Sequence, residues 1–590
     1  MNISENLVFI DRKLPKSTCI FAENKIYNRD YFIQLYNAVR AYDVYNYKGA
    51  RIPLKHNNIN VEKFRSYLQK FAYPHIHLLQ YVEFGFPLGL WTNAYLEPSL
   101  RNHSSAYEFH SYIDKFIEKE IDKLGLTGPF DKAPFKNFMI SPLMTCPKKP
   151  NSRRAVFDAS FGLNSLNKNT PEKSYHDEDY EFSFPRIDDL ADIIVSLGKG
   201  CYLFKRDLSR FYLQLKIDPI EYDKLGFVWR GSFYFFVSFV WGCRHAGYCG
   251  QWLTSAISFI HSKLGLEKTN DLFNILNYAD DFAGAEDNID KATLSFNLLG
   301  NLLAEIGLIE AEDKACPPSK RMTYLGVLFD TDNMAIYVDE DKVTELKSEL
   351  AKWGCKSVTR KRDLQSILGK LLWVSKAVRN SRIFVGRIIA VIRSLKFQSS
   401  KTTLSNEIKK DFLWWEKFLE KFSGVELIPP ITVSQSVLGD AYPKGGGSWN
   451  PVKRQYFSMK FPEYMCSDET PIHIKEFIVV LLSIRMWGKD WTGQRILILC
   501  DNDSVCDTCT YQKPRDPSLQ MLLREFLYWV CSFNFQPVLQ KISSSDNHFA
   551  DFLSRNHDVK DIDDYFTKNG YPSQEKVLVP LNWFNFVADW

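Results

Sequence analysis

The sequence is short of several features, and each shortage excludes a class of protein. No stretch approaches about 18 uninterrupted apolar residues; the best runs, 233–239 and 477–484, suit buried elements rather than membrane spans. The start, MNISENLVFIDRK, has no basic segment followed by an apolar run, so a secretory leader is not expected. Twelve cysteines are scattered without framework spacing, which fits a reducing, intracellular compartment (cytoplasm or nucleus). Cys506-x-x-Cys509 lacks a second pair or nearby histidines, so no zinc site is expected there. Internal repeats and low-complexity tracts are missing. What remains is a chain of 590 residues, 45% hydrophobic, 24% charged and 15% aromatic: a multidomain globular protein of about four domains.

Net charge is only +4, but its distribution is uneven. Segment 359–401 holds eleven Lys/Arg against one acid, Asp363, a net of +10 that leaves about −6 for the rest. Such a segment reads as a track for a phosphate backbone or as a solvated helix surface. The spacing of Leu364, Ile367, Leu368, Leu371 and Leu372 predicts a buried helical stripe within it. Earlier in the chain a helix is expected near 105–124, ended by Gly125 and a turn at Thr127-Gly128-Pro129. Residues 225–229 and 232–236, joined at Arg230-Gly231, read as a hairpin. Pro429-Pro430 marks a boundary, and beyond it apolar runs end in acids at Asp440 and Asp501. The pattern from 131 to 340 is α/β or α+β.

Two sets of acids carry the chemistry. CYLFKRDLSRFYLQLKID (201–218) places Asp207 at the end of an apolar strand, and LNYADDFAG (276–284) places Asp280 and Asp281 in a tight turn at the edge of a core. An Asp-Asp pair alone commonly caps a turn. Gathered carboxylates repel, by about 4 kcal/mol for two charges ~4 Å apart at an effective dielectric of 20, and a divalent cation removes that cost. Oxygen-only ligands favour Mg²⁺ or Mn²⁺ over Zn²⁺.

Here the sequence resembles the reverse transcriptases. Tyr278-Ala279-Asp280-Asp281 looks like their Y-x-D-D box, and Asp207-Leu208 with Tyr212 and Gln214 looks like their first palm motif. SPLMTCPKKPNSRRAVFDAS (141–160) is similar to the fingers segment, FVWGCRHAGYCGQ (239–251) to a nucleotide loop, and 302–331 to the run from the motif-D lysine to the Tyr-Leu-Gly primer grip. The resemblance implies that Asp207 and Asp280 bind two Mg²⁺ ions with Asp281 in support. It implies that Lys148, Lys149 and Arg154 hold the triphosphate, that Tyr212 excludes a 2′-hydroxyl, and that Gly242 lies in the nucleotide loop. Lys314 would protonate the departing pyrophosphate. Plainer readings stand beside these: a strand aromatic for Tyr212, a solvated basic turn for Lys149, a surface lysine for Lys314. Trp241, Gly247 and Phe211 depart from the usual Phe or Gln, Pro, and Ala or Gly.

Downstream, SVLGDAYPKGGGSWN, IHIKEFIVVLL, LILCDNDS and DNHFADFLSR supply Asp440, Glu476, Asp501 and Asp551. Asp440 and Asp501 follow strand-like runs, Glu476 lies in an amphipathic helix, and Asp551 begins another. The order resembles ribonuclease H, whose carboxylates hold two Mg²⁺ around an RNA phosphate. Taken singly, Asp551 is a helix N-terminal acid and Glu476 an exposed helix residue. A family histidine is replaced by Lys541, with His548 at another spacing, so slower turnover is expected.

GPF near 128, DLQSILGKLLW (363–373), DFLWW (411–415) and the ADFLSR ending resemble one branch, so that across roughly 105–557 the chain is most similar to reverse transcriptase–ribonuclease H of DIRS-like, tyrosine-recombinase retrotransposons. The implied fold is a multidomain α+β and α/β chain with a right-hand polymerase and a ribonuclease-H-like domain. Its parts would be an N-terminal extension packing on the fingers (1–130), fingers and palm (131–342), a helical thumb or connection (343–430), the ribonuclease-H-like domain (431–557) and a tail (558–590). The implied partners are an RNA template, a DNA primer, the RNA/DNA hybrid and deoxynucleoside triphosphates, with recombinase and capsid-like proteins on separate chains and no membrane. A domesticated or decayed copy that only binds nucleic acid is the alternative, and seven ordered acids argue against it. A telomerase- or intron-type polymerase is disfavoured by the appended ribonuclease H.

Overall fold

The computed structural model describes residues 30–40, 54, 57–91, 94, 96–99, 101–149, 152–172, 174–175, 178–179, 183–378, 381–466, 470–512 and 516–584. The side chains of Lys149, Glu178, Asp179 and Arg382 fall outside that description, as does Arg379 of the basic segment. Contacts divide the chain into two compact units, Met1–Arg186 with Tyr202–Ser319, and Ile187–Cys201 with Lys320–Trp590. Both mix helices and sheets, so the chain is a multidomain α+β and α/β protein.

The first unit has one apolar core that runs from Phe32, Phe64 and Ile113 through Leu126 and Phe157 to Phe204, Ile257 and Leu303. Residues before 130 therefore share their interior with those after it. Its central sheet is antiparallel, in the order Cys316–Ser319, Tyr202–Asp207, Asp281–Glu286, Asn274–Tyr278. Helices Ala246–Thr269 and Ile289–Ile306 pack on it. The expected hairpin forms from Gly226–Trp229 and Ser232–Phe236, with Arg230 and Gly231 both at positive φ, the geometry that suits a two-residue turn.

Two local expectations need correction. The 105–124 helix is broken at Phe109 into Ser104–Glu108 and His110–Asp122. Thr127-Gly128-Pro129 is no turn: it lies in strand Leu126–Phe130, paired with Ser232–Phe236. That strand is at a sheet edge and its register shifts between Thr127 and Phe130, a place where a proline costs no ladder hydrogen bond.

The second unit holds helix Ile187–Leu197 and a four-stranded antiparallel sheet, Arg321–Tyr324, Val327–Asp330, Ala335–Tyr337 and Val425–Leu427. Helices Glu340–Gly354, Lys361–Val374, Gly386–Ser394 and Asn406–Lys421 come between its last two strands. Leu364, Ile367 and Leu371 are buried as expected, but Leu372 is exposed and Val374 takes its place in the stripe. Next comes a six-stranded sheet in the order Gln536–Lys541, Arg495–Cys500, Gln435–Tyr442, Gly445–Asn450, Gln455–Lys460, Glu575–Lys576. The first three strands are parallel and the next two antiparallel. Residues past 557 join this fold: Ile562 and Phe566 pack with Trp449, Tyr456 and Phe549, and Glu575–Lys576 pairs with Gln455 and Tyr456.

Candidate active sites

The first acid cluster is placed by β-ladder register. Asp207 ends its strand, and Asp281 faces both Asp207 and Tyr278 across the sheet. Between Tyr278 and Asp281 the two-residue loop Ala279-Asp280 reverses the chain, with Ala279 at φ 51°. Buried Gln251 fixes the loop: its Nε2 donates to the Asn277 carbonyl at 2.8 Å, and its Oε1 accepts from the Ala279 N–H at 2.8 Å. Asn277 in turn donates to Thr254 at 3.0 Å. Buried Gln214 staples the other side through Ser209 and Ile309. The Leu208 N–H donates to the Asp280 carbonyl at 2.9 Å, so the Asp207 strand and the Asp280 turn are joined through the backbone as well.

Burial and the neighbouring Asp281 push the Asp207 carboxyl up to about 6, against the pull of Lys314. Burial, then the charge of Asp207, also raises Asp280. Two ammonium groups answer these acids: Lys314 Nζ donates to Asp207 Oδ1 at 2.7 Å, and Lys205 Nζ lies 3.3 Å from Asp281 Oδ1. Burial works against the Lys314 charge, but the bond to Asp207 and the fields of Asp280 and Asp281 outweigh it and raise its pKa. Lys314 is thus tied to the cluster rather than being a free surface lysine.

Tyr212 sits in the short helix Phe211–Gln214, not in a strand. Burial first, then Asp280 and Tyr278, raises its phenol to about 12. Its ring meets Trp241 edge-on at 5.5 Å, and the Arg154 guanidinium lies 5.0 Å from the Trp241 ring. Arg154, Trp241 and Tyr212 thus form a continuous row, with Trp241 58% exposed. Arg154 and Lys148 are exposed on the antiparallel pair Leu143–Lys149 and Ser152–Phe157. Gly242 has φ +112° and a Cβ there would stand 2.5 Å from the Phe157 carbonyl oxygen, so only glycine fits. Asn167 holds this loop, donating to the Gly242 carbonyl at 2.6 Å and accepting from the Arg244 N–H at 2.9 Å. A Cβ at Gly247 would meet nothing within 4 Å, so that departure from Pro disturbs no packing.

The second cluster is assembled from four elements. Asp440 lies in the central strand, Asp501 directly follows the parallel strand Arg495–Cys500, and Glu476 and Asp551 lie in helices Ile472–Trp487 and His548–Arg555. Glu476 is buried, and its helix is apolar nearly all round rather than amphipathic, because it packs between the sheet and helix Pro517–Phe533. The Asp551 helix comes close to the sheet only because Gly447 lacks a side chain: a Cβ there would lie 2.4 Å from Leu553 Cβ and 2.7 Å from the Ser554 nitrogen. Asn547 Nδ2 donates to the Gly439 carbonyl at 3.1 Å and fixes the start of that helix beside Asp440.

Burial, then Asp501, raises Glu476 to about 7, and burial raises Asp440 to about 6 with Asp501 and Asp551 contributing. Asp440 Oδ2 and Asp501 Oδ1 are buried without any hydrogen-bond partner. Such orphaned carboxylate oxygens are costly unless a cation completes them, so this donor set fits divalent ions. Asp551 is half exposed and accepts from Arg555 at 2.8 Å. Lys541 pairs with Asp503 at 2.5 Å, and His548 turns to the Tyr565 hydroxyl at 3.0 Å.

Sequence reasoning passed over Cys500. Among the described residues, Glu476, Cys500 and Asp501 form the one trio of ligand side chains whose donor atoms all lie within 4.8 Å of one another. Its position next to Asp501 was the available signal. Asp207, Asp280 and Asp281 do not converge that tightly; Lys314 and Lys205 neutralise part of their charge instead. Cys506 and Cys509 lie buried on helix Asp503–Tyr511 and belong to no such group among the described residues.

The basic segment is only partly free. Lys370 pairs with Glu345 at 2.7 Å and also with Glu349, and Arg387 pairs with Glu407 at 2.8 Å and Asp411 at 3.3 Å. Arg360, Arg393, Lys396 and Lys401 are exposed, as are Arg362, 3.5 Å from Asp363, and Lys376, which donates to the Leu325 carbonyl at 3.3 Å. Arg360 and Lys401 stand directly opposite each other in a two-stranded ladder, an arrangement that repels until an anion binds.

No family model matches the chain, and no curated protein matches it. Solved structures similar to it include a foamy viral protease–reverse transcriptase with double-stranded DNA (14% identity, TM-score 0.44, 84% of this chain and 98% of that one). The dRH form of that protein with double-stranded DNA is similar at 14% identity and TM-score 0.45, covering 84% of each chain. A complex with an RNA/DNA hybrid aligns at 14% identity and TM-score 0.43, over 90% of this chain and 64% of that one. Among the described residues no helix is long and apolar enough to cross a membrane.

Proposed function

We propose that the chain is an RNA-directed DNA polymerase with ribonuclease H activity, of the DIRS-like retroelement type. The observation that carries this reading is the meeting of Asp207, Asp280 and Asp281 at one end of one sheet, with the Arg154–Trp241–Tyr212 row in the same unit. Asp207, Asp280 and Asp281 would hold one pair of Mg²⁺ ions, and Asp440, Glu476, Asp501 and Asp551 the other, with Mn²⁺ as a substitute. When bound, such ions activate an attacking oxygen and stabilise the charge on the leaving one. Lys148, Lys149 and Arg154 bind the triphosphate by charge and geometry. Tyr212, braced by Trp241, stands under the sugar and crowds a 2′-hydroxyl. Lys314, which donates to Asp207 at 2.7 Å, would be the group that gives its proton to the departing pyrophosphate. Fingers and palm would span 131–342 behind the 1–130 extension, the thumb or connection 343–430 would grip the hybrid, and 431–557 would cleave its RNA, with the segment expected as a tail completing that fold through Ile562, Phe566 and Glu575–Lys576.

Primer extension on an RNA template with Mg²⁺ tests this. Asp280→Asn should lower deoxynucleotide incorporation by roughly 10²–10³-fold or more while hybrid binding survives. Equal extension by wild type and variant would refute the assignment.

A further inference from the structure

Cys500 sits on the floor of the second acid cluster. It is 1% exposed, and its Sγ lies 3.3 Å from Glu476 Oε2. Together with Asp501 these donors fall within 4.8 Å of one another. A tetrahedral ion with metal–sulfur bonds of ~2.3 Å and metal–oxygen bonds of ~2.0–2.2 Å holds its S and O ligands about 3.5 Å apart, close to the 3.3 Å between Cys500 Sγ and Glu476 Oε2. Asp440, 5% exposed and with Oδ2 unpartnered, borders the same cluster and offers a fourth donor.

We propose that Glu476, Cys500 and Asp501 form a thiophilic metal site, taking Zn²⁺ or Cd²⁺ in competition with the Mg²⁺ of the ribonuclease-H-like cluster. Soft thiolate donors select such ions over hard Mg²⁺, and the usual affinity order runs the same way. On binding, the Cys500 S–H bond, which points at Glu476 Oε2, breaks: the proton leaves by way of that carboxylate to solvent, and the sulfur electron pair it frees goes to the metal. An ion so held occupies Glu476 and Asp501 and would block RNA cleavage. The site rests on the second cluster of the proposed function only in sharing its acids; occupancy needs no catalysis.

Co²⁺ is the probe, because a cysteine thiolate bound to it gives a sulfur-to-metal charge-transfer absorption that carboxylates do not. The full-length chain, reduced and free of metal, should show this absorption on titration with Co²⁺. Zn²⁺ should abolish it near stoichiometry, and Mg²⁺ only at large excess. Cys500→Ser should lose it, whereas Cys466→Ser, whose thiol bonds the Phe461 carbonyl instead, should keep it. Retention in Cys500→Ser, loss in Cys466→Ser alone, or no absorption in the wild type would each overturn the proposal. Mg²⁺-dependent RNA cleavage measured on the same preparations separates the two readings: cleavage without the absorption defeats the thiol site alone, and absorption without cleavage defeats the nuclease reading alone.

Discussion

Around Asp207, Asp280 and Asp281 the acids come from two neighbouring strands and the loop that joins one of them to the next, so ladder register sets their spacing. Asp440, Glu476, Asp501 and Asp551 come instead from a strand, a strand end and two helices, and their spacing depends on how closely those helices settle on the sheet. The charge balance differs too. Lysines 314 and 205 stand against the first cluster, where Asp281 Oδ1 lacks a hydrogen-bond partner; among the described residues the second has only Arg555, on Asp551, and leaves both Asp440 Oδ2 and Asp501 Oδ1 without one. A ladder-built site tolerates changes in distant packing; a site built by helix docking does not. The second cluster, with fewer internal counter-charges, should lean more heavily on divalent ions.

Gly447→Ala gives the sharpest contrast. The added methyl meets backbone and Cβ atoms of Leu553 and Ser554, which cannot rotate away, so the Asp551 helix must shift. RNA cleavage should fall by at least about 10²-fold and the second unit lose about 1–3 kcal/mol, while extension by the first cluster stays within about two-fold. Denaturation followed alongside the two activities checks this, and an equal loss of both activities would break the contrast.

Acidity should separate the clusters next. Glu476, raised by burial and Asp501, titrates near about 7, whereas Asp207, raised by burial and Asp281, titrates near about 6. Both are carboxyls shifted upward, so the metal-free fold holds protons that the unfolded chain has released. Their contribution to stability is therefore greatest in acid and declines as pH rises from about 4 to about 7. Ion binding requires the opposite state. At limiting Mg²⁺, cleavage should fall off at a higher pH than extension as the solution is acidified, and saturating Mg²⁺ should move both fall-offs to lower pH, read from pH–rate profiles at the two Mg²⁺ levels. Coincident profiles would contradict the difference in burial.

The smallest effect belongs to the basic ladder. Lys401→Ala relieves repulsion with Arg360 in the free chain but would remove one phosphate contact from the proposed grip on the hybrid. Hybrid affinity should drop a few-fold, and the log–log salt slope should flatten by about one, measured by titration at several salt concentrations.

Much of this was legible because acids at the ends of apolar runs announce themselves. Asp207 and Asp280 could be placed at a strand end and a turn without coordinates, and Arg230-Gly231 dictated its hairpin. What stayed hidden was set by partners far along the chain. Lys370 and Arg387 read as free track charges, but acids at Glu345, Glu349, Glu407 and Asp411 occupy them. The helix of Glu476 read as amphipathic, yet Pro517–Phe533 covers its second face. Thr127-Gly128-Pro129 carried turn chemistry, but an irregular edge pairing overrode it. Cys500 drew no reading from the sequence, because the 3.3 Å approach of its thiol to Glu476, twenty-four residues earlier, is made only by the fold.

The account rests on two separate acid clusters, each doing its own chemistry, and one assay addresses that directly. A labelled DNA primer on a labelled RNA template, incubated with Mg²⁺ and deoxynucleotides, reports extension and RNA cleavage in the same tube. Asp280→Asn should cleave without extending, and Asp501→Asn should extend without cleaving. Loss of both activities in either variant, with hybrid binding intact, would contradict the existence of two independent sites.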